Sequence, residues 1–273
     1  MKIKWCVSDI DGTIMNSKRE LDPRITEAIR QYEKSGGTFI LATGRTMLTA
    51  REIVDGIGIN TPVICGNGSV IQYPSGETIL HHTIPESASL SVAEYAITEG
   101  FDFATFSDDA VWFPYNSSKL DFFKNRNNEK PGYEIPLIVY SKAGELPHGR
   151  ITKLFVWNMN EKLLKDFEAN CNKSRTMNFV QSVRGALDID PIQATKGSGL
   201  KFLAKHLNMQ LENTAAFGDN NNDLDMLESV GFPVAVANAE DELKKAAWRV
   251  CPSNDECGVA VMLEEFIKDD LTD

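Results

Sequence analysis

The sequence lacks any apolar run long enough to cross a bilayer, and no signal-peptide pattern opens it, so membrane insertion and secretion are not expected. Basic clusters are absent as well. Its 28 lysines and arginines are outnumbered by 39 aspartates and glutamates, giving a net charge of -11 and a pI near 4.9. A nucleic-acid binder needs a basic face, so that class is excluded. Such a surface also repels anionic substrates, and any phosphate site must carry its own local positive charge. The five cysteines are scattered, odd in number and never spaced Cys-x-x-Cys. The expectation is reduced, mostly buried thiols in a cytoplasmic protein. None of the four histidines has zinc-ligand spacing with them, and His81-His82, adjacent on a strand, point to opposite faces. There is no internal repeat or low-complexity tract. What remains is a chain of 273 residues, 42% apolar, which suits one large domain or two smaller ones.

The most informative stretch is Val7-Ser8-Asp9-Ile10-Asp11-Gly12-Thr13. It follows the short apolar run Ile3 to Val7, which reads as a buried strand feeding a glycine turn. Two carboxylates thus stand at the strand's carboxyl end, where open α/β sheets bind ligands. Like charges packed this closely repel and lose water. A divalent cation relieves that cost, and hard carboxylate oxygens suit Mg²⁺, which leaves room for a phosphate. Gly12 permits a sharp turn that brings backbone N–H groups towards an anion. Standing alone, Asp-Gly is also a common solvated turn.

The chain continues in β-α rhythm. Asp22 and Pro23 open a helix whose apolar face is Ile25, Ala28, Ile29 and Tyr32, and Gly36-Gly37 ends it. Thr38 to Ala42 reads as a strand running into Thr43-Gly44-Arg45, then a helix from about Thr46 to Ile57, then a strand Pro62 to Cys65. This alternation predicts a doubly wound parallel sheet. The rhythm changes near Ser69: Val70 to Tyr73 and Thr78 to His81 flank a turn and predict a hairpin. From about Pro85 the pattern is α+β, with strands over Phe101 to Phe106, Val111 to Phe113, Ile151 to Trp157, Met177 to Val183 and Ala186 to Ile189. Most of the aromatics in this stretch are expected in its core and a minority against a pocket. The β-α rhythm returns after Pro191, with a helix opening at Thr195-Lys196, a strand Thr214 to Phe217 ending in Gly218-Asp219, and a strand Pro233 to Val236. The expected organisation is a Rossmann-like core of residues 1–84 and 188–273 with an α+β cap, residues 85–187, inserted between its halves.

Four stations then stand at one sheet edge: Asp9 with Asp11, Thr43, Lys196, and Asp219 with Asp223. Together they resemble the four motifs of the haloacid dehalogenase-like superfamily, within its phosphatases. Asp9-Ile10-Asp11-Gly12-Thr13 is similar to the first motif, Thr43-Gly44-Arg45 to the second, Lys196-Gly197 after Ile189-Asp190-Pro191 to the third, and Gly218-Asp219-x-x-Asn222-Asp223 to the fourth. About 30 residues separate Thr13 from Thr43, too few for a domain, so the cap falls between the second and third motifs. That arrangement resembles the Cof-type sugar-phosphate phosphatases. The resemblance implies a Mg²⁺-dependent phosphatase acting on small phosphorylated metabolites through an aspartyl phosphate. Asp9 is the candidate nucleophile and Asp11 the candidate general acid and base. The Thr43 hydroxyl, the Ile10 and Gly44 N–H groups, Lys196 and Asn222 are the candidate phosphate ligands. Asp9, the Asp11 carbonyl, Asp219 and, through water, Asp223 are the candidate metal ligands. Arg45 stays outside this set, and Asn67 reads equally as a turn residue or a substrate contact. The segment Phe232 to Ala239 lacks the Met-Gly common before Asn238-Ala239, away from the four stations.

Two other functions share these motifs. A phosphosugar mutase would need extra basic residues in the cap; the candidates Lys119, Lys124, Arg126 and Arg184 form no cluster. A non-catalytic phosphometabolite sensor would have no use for Asp11. The expected protein acts without nucleic acid or membrane, as a monomer or weak homodimer.

Overall fold

The structure, a computed structural model, describes residues 3–173, 175–181 and 185–271. In chain order its helices and strands are β1 (Trp5–Ser8), α1 (Pro23–Lys34), β2 (Thr38–Leu41), α2 (Met47–Ile57), β3 (Val63–Cys65), β4 (Val70–Gln72), β5 (Thr78–His81), α3 (Glu86–Thr98), β6 (Asp102–Phe106), β7 (Val111–Pro114), α4 (Leu120–Glu129) and β8 (Leu137–Tyr140). They continue with β9 (Lys153–Trp157), α5 (Glu161–Cys171), β10 (Met177–Val180), β11 (Ala186–Pro191), α6 (Lys196–Leu207), β12 (Thr214–Gly218), α7 (Leu224–Leu227), β13 (Phe232–Val236), α8 (Asp241–Ala246), β14 (Arg249–Cys251) and α9 (Gly258–Leu271).

The first sheet is wholly parallel in the order β14-β13-β12-β1-β2. β1 is the point at which the strand order reverses, and the crevice outside its carboxyl end is where such folds bind ligands. Register fixes what stands there. Ser8 is level with Leu41 on one side and Phe217 on the other, so Asp9, Thr43 and Asp219 leave the sheet together. The helices cover both faces through regular apolar stripes. In α1, Asp22 accepts from the Arg24 N–H at 2.8 Å, and Ile25, Ala28, Ile29 and Tyr32 are buried. Thr46 is the N-cap of α2.

The third strand departs from expectation. β3 meets β2 only through the Ala42–Ile64 bridge and pairs antiparallel with β4 in a separate β3-β4-β5 sheet. The cause is the turn that follows: Gly66, Asn67 and Gly68 all have left-handed backbones, with φ of 54°, 51° and 96°, and fold the chain straight back. A Cβ on Gly68 would sit 2.2 Å from the Thr195 carbonyl, so this turn is wedged against the start of α6.

The remaining six strands form a sheet in the order β10-β11-β9-β6-β7-β8, antiparallel except for β7 beside β8. β8, β14 and α4 were not foreseen. Met177–Val180 pairs antiparallel with Asp188–Pro191; residues 182–183, the expected end of the first of these strands, and Arg184, expected in the turn after it, lie outside the described residues. Among the described residues no helix is long and apolar enough to cross a membrane, and all five cysteines are free thiols, four of them buried.

Candidate active site

Asp9 is the first residue beyond β1, and its N–H still bonds the Phe217 carbonyl of β12 at 3.0 Å. Its side chain is buried and meets Lys196 Nζ at 2.6 Å. Lys196 is the first residue of α6, held there by reciprocal bonds between Thr195 and Ser198. It is 1% exposed and also bonds Asp223 Oδ1 at 2.6 Å. The other Asp223 oxygen accepts the N–H groups of Asp219 and Asn220, at 3.0 and 3.1 Å. Thr13 donates to Asp219 Oδ1 at 2.9 Å. Gly12 is required by space as well as by its φ of 80°, since a Cβ there would lie 2.3 Å from Asp219 Oδ2.

Burial pushes the Asp9 carboxyl up, Lys196 pulls it back, and Asp223, Asp219 and Asp11 push it up again. Burial and then Asp223 push Asp219 up to about 7. Burial pulls the Lys196 ammonium down, but Asp223 and Asp9 outweigh it and keep it charged. One buried cation therefore faces several carboxylates. Ligand oxygens of Asp9, Asp219 and Asp223 lie within 4.8 Å of one another. A cluster of hard oxygens with unbalanced negative charge is a fitting donor set for a divalent cation.

Asp11, also expected here, turns its side chain the other way. Its two oxygens accept from Arg45 Nε at 2.6 Å and Nη2 at 2.5 Å. Burial opposes its ionisation, yet the Arg45 hydrogen bonds and charge hold its carboxyl below the usual range. Arg45, set aside in the sequence, thus touches the first motif. The Thr43 hydroxyl accepts the Arg45 N–H at 3.1 Å, and the Thr43 N–H bonds the Ile64 carbonyl. Gly44 sits against Asn67, and Ile10 is buried beneath the loop.

Asn67, left open between two readings, is a bridge. Its buried amide donates to Asp190 Oδ2 at 2.8 Å and accepts from Asn222 Nδ2 at 3.1 Å. Sequence reasoning also missed Lys153, on β9 of the insertion. Its Nζ donates to the Gly44 carbonyl at 2.7 Å and pairs with Asp188. Of the mutase candidates, Lys124 pairs with Asp121 and Arg126 donates to the Tyr133 carbonyl, whereas Lys119 stands 5.5 Å over the ring of Trp157, which lines the cavity over the site. Arg184 lies outside the described residues. A cavity of about 440 Å³ opens over Asp9, Asp11, Gly44 and Asp219 and is roofed by Lys153 and by aromatic rings of the insertion.

A parallel sheet that gathers buried carboxylates and a lysine at its switch point is the arrangement of an α/β enzyme. The chain belongs to the haloacid dehalogenase-like hydrolase family, whose profile matches residues 6–263, and lies within its phosphatase branch. It is 30% identical to phosphatase YwpJ of Bacillus subtilis, over 97% of this chain and 100% of that one. It is 26% identical to the 5-amino-6-(5-phospho-D-ribitylamino)uracil phosphatase YwtE of the same organism, over 97% and 98% of the two chains. The phosphoglycolate phosphatase of Methanobrevibacter smithii is 30% identical over 98% and 100%. A solved haloacid dehalogenase-like hydrolase from B. subtilis superposes with a TM-score of 0.84 at 28% identity, covering 96% of this chain and 99% of that one.

Proposed function

We propose that this phosphatase hydrolyses a small phosphorylated metabolite through a phosphoryl group carried on Asp9. The observation that carries the reading is the Asp9–Lys196 contact of 2.6 Å, buried beneath the cavity that Asp9 lines. Lys196 favours the ionised form of Asp9 against its burial and offers positive charge to an arriving phosphate on an otherwise acidic protein. An Asp9 oxygen forms the new bond to phosphorus as the ester P–O bond breaks. Asp11 gives its proton to the departing alkoxide, then takes one from the water that attacks the phosphoryl group, releasing inorganic phosphate and restoring Asp9. Ionised and clasped by Arg45, Asp11 cannot donate; in this role it leaves Arg45 and takes up a proton as substrate binds. The Thr43 hydroxyl, the N–H groups of Ile10 and Gly44, and the Asn222 amide orient the phosphate.

Asp9, Asp219, Asp223 and the Asp11 carbonyl would hold Mg²⁺. When bound, Mg²⁺ supplies charge that neutralises the carboxylates and the phosphoryl oxygens. The insertion, whose sheet includes all of β11 to Pro191 rather than ending at residue 187 as expected, acts as a cap that covers the site and excludes stray water, hinged near residues 83–85 and where the chain leaves β11 after Pro191. The setting is the cytoplasm, and the partner is the metabolite itself, with neither nucleic acid nor membrane, on a monomer or weak homodimer. Phosphate release from p-nitrophenyl phosphate tests the reading. Turnover that requires Mg²⁺ and vanishes in Asp9→Asn supports it; metal-independent turnover or an active Asp9→Asn enzyme overturns it.

A further inference from the structure

Asn67 is the middle of a buried relay that the proposed reaction does not use. It sits in the turn after β3 with a φ of 51°, a left-handed backbone that asparagine adopts more readily than most residues. It is 2% exposed and does not line the cavity. Its amide nevertheless joins two places that the sequence keeps far apart. Nδ2 donates to Asp190 Oδ2 at 2.8 Å, and Oδ1 accepts from Asn222 Nδ2 at 3.1 Å. Asp190 belongs to β11, in the six-stranded sheet of the insertion, and is fully buried. Asn222 lies beyond β12 of the core and lines the cavity.

Donor and acceptor rules give the relay a direction. An asparagine side chain is ambivalent: one end donates, the other accepts, and the two ends have nearly the same shape. An ionised carboxylate only accepts. Asp190 therefore claims the NH2 end of Asn67. That turns the Asn67 carbonyl towards Asn222, and a carbonyl too only accepts. Asn222 must then present its own NH2 end. One of its N–H groups goes to Asn67, and the second is left for the cavity. A flipped Asn222 would set its carbonyl oxygen against that of Asn67 and aim a lone pair at an arriving phosphate, which is repulsive on both sides. Packing holds the middle member still. A Cβ on Gly44 would lie 3.0 Å from Asn67 Oδ1, so the loop after β2 closes over the amide.

We propose that Asp190 and Asn67 are positioning residues that fix the side-chain amide of Asn222 as a hydrogen-bond donor to the phosphoryl group. The proposal rests on the phosphatase reading above, in which Asn222 is a phosphate ligand. Neither positioning residue touches the substrate; each acts through the next. The site has a use for a neutral donor of fixed sense, because Lys196 is already shared by Asp9 and Asp223. The relay also ties a strand of the insertion to a ligand held by the core.

A double-mutant cycle tests the relay in the full-length enzyme with Mg²⁺ and p-nitrophenyl phosphate. It is run at pH 8, above the value of about 7 to which burial pushes the Asp190 carboxyl. Asn67→Gly accepts the left-handed backbone and deletes the amide; Asn222→Ala deletes the ligand. Each should lower kcat/KM by about fivefold or more, the scale of a hydrogen bond to a charged group. In an Asn222→Ala background, Asn67→Gly should lower it by less than about twofold further, because the two act as one unit. Asp190→Ala should behave as Asn67→Gly does and takes its place in the cycle if that variant fails to fold. Asp190→Asn, which keeps an acceptor, should restore most of the loss. Losses that multiply in the double variant, native kcat/KM in Asn67→Gly, or an Asp190→Asn enzyme as impaired as Asp190→Ala overturn the relay alone. Native kcat/KM in Asn222→Ala removes that residue as a phosphate ligand, and the relay with it. A native enzyme that does not turn over overturns the phosphatase reading itself.

Discussion

Arg45 clasps both carboxylate oxygens of Asp11, from Nε at 2.6 Å and Nη2 at 2.5 Å. The pairing keeps Asp11 ionised, whereas its proposed role needs a proton at the moment the alkoxide leaves. Arg45 then sets the pH range of the reaction. For an alkyl phosphate, rate should fall as pH rises past the Asp11 pKa, because the acid form is the active one. Arg45→Met removes the group that lowers this pKa in the free enzyme, so the alkaline limb of kcat/KM should move to higher pH. A pH–rate profile checks it, and a limb that stays put or moves down excludes Arg45 as the controlling group.

Lys196 is a stability element as well as a charge. It stands between Asp9 and Asp223 at 2.6 Å from each, all three buried. Removing one member of a buried charge cluster costs about 3–5 kcal/mol. Lys196→Met should lose roughly that much at pH 7 in urea unfolding, and turnover with it. The deficit should shrink towards pH 5, where the stranded carboxylates protonate. Wild-type stability at pH 7 would rule out this role.

Metal linkage offers a readout separate from turnover. A ligand that binds only the folded state at 100 times its Kd stabilises by about 2.7 kcal/mol. Mg²⁺ should raise the Tm of the native protein, and Asp219→Ala should abolish that rise. A Tm that responds to Mg²⁺ equally in both proteins would place the cation elsewhere.

Asp190 gives a pH dependence from outside the reacting centre. Burial, opposed by Lys153 and reinforced by Asp188, pushes its carboxyl up to about 7. The unfolded chain ionises at the ordinary value, near 3.8, so between about pH 4 and 7 the folded state holds the extra proton. Stability from this group is present below that window and is lost as pH rises through it, by up to about 4 kcal/mol. Asp190→Asn keeps an acceptor for Asn67 and removes the titration. Its stability relative to the native protein should therefore improve from pH 4 to pH 7 in denaturant melts. A constant difference across that range would contradict the assignment.

How far the site could be read from the sequence depended on where each residue stands. Asp9, Thr43 and Asp219 each follow a short apolar strand directly, and Lys196 opens a capped helix, so local pattern alone fixes their place at one edge. Lys153 was hidden because a lysine inside an apolar run reads as an edge residue; its period-two spacing with Phe155 and Trp157 was the available signal. Asn67 was ambiguous because a left-handed turn and a buried amide bridge require the same residue type. β3 does meet the chain after β2 in one parallel bridge, Ala42–Ile64, but its main pairing, antiparallel with β4, was missed because three apolar residues do not specify which neighbour they pair with. β8 and β14 escaped notice for the related reason that both are short edge strands with exposed apolar residues, Val139 and Val250, which blur the alternation.

The central claim is that phosphorus is bonded to Asp9 during turnover, and direct mapping of that bond tests it. In Asp11→Asn the nucleophile is intact and the second half-reaction slows, so a phosphoenzyme should accumulate from p-nitrophenyl phosphate, with a burst of nitrophenol in rapid mixing. Acid quench, proteolysis and mass spectrometry should then find one added phosphoryl group, removable by hydroxylamine, on the peptide containing Asp9. Turnover with no phosphorylated peptide at any quench time, or the phosphoryl group on another residue, would contradict the account.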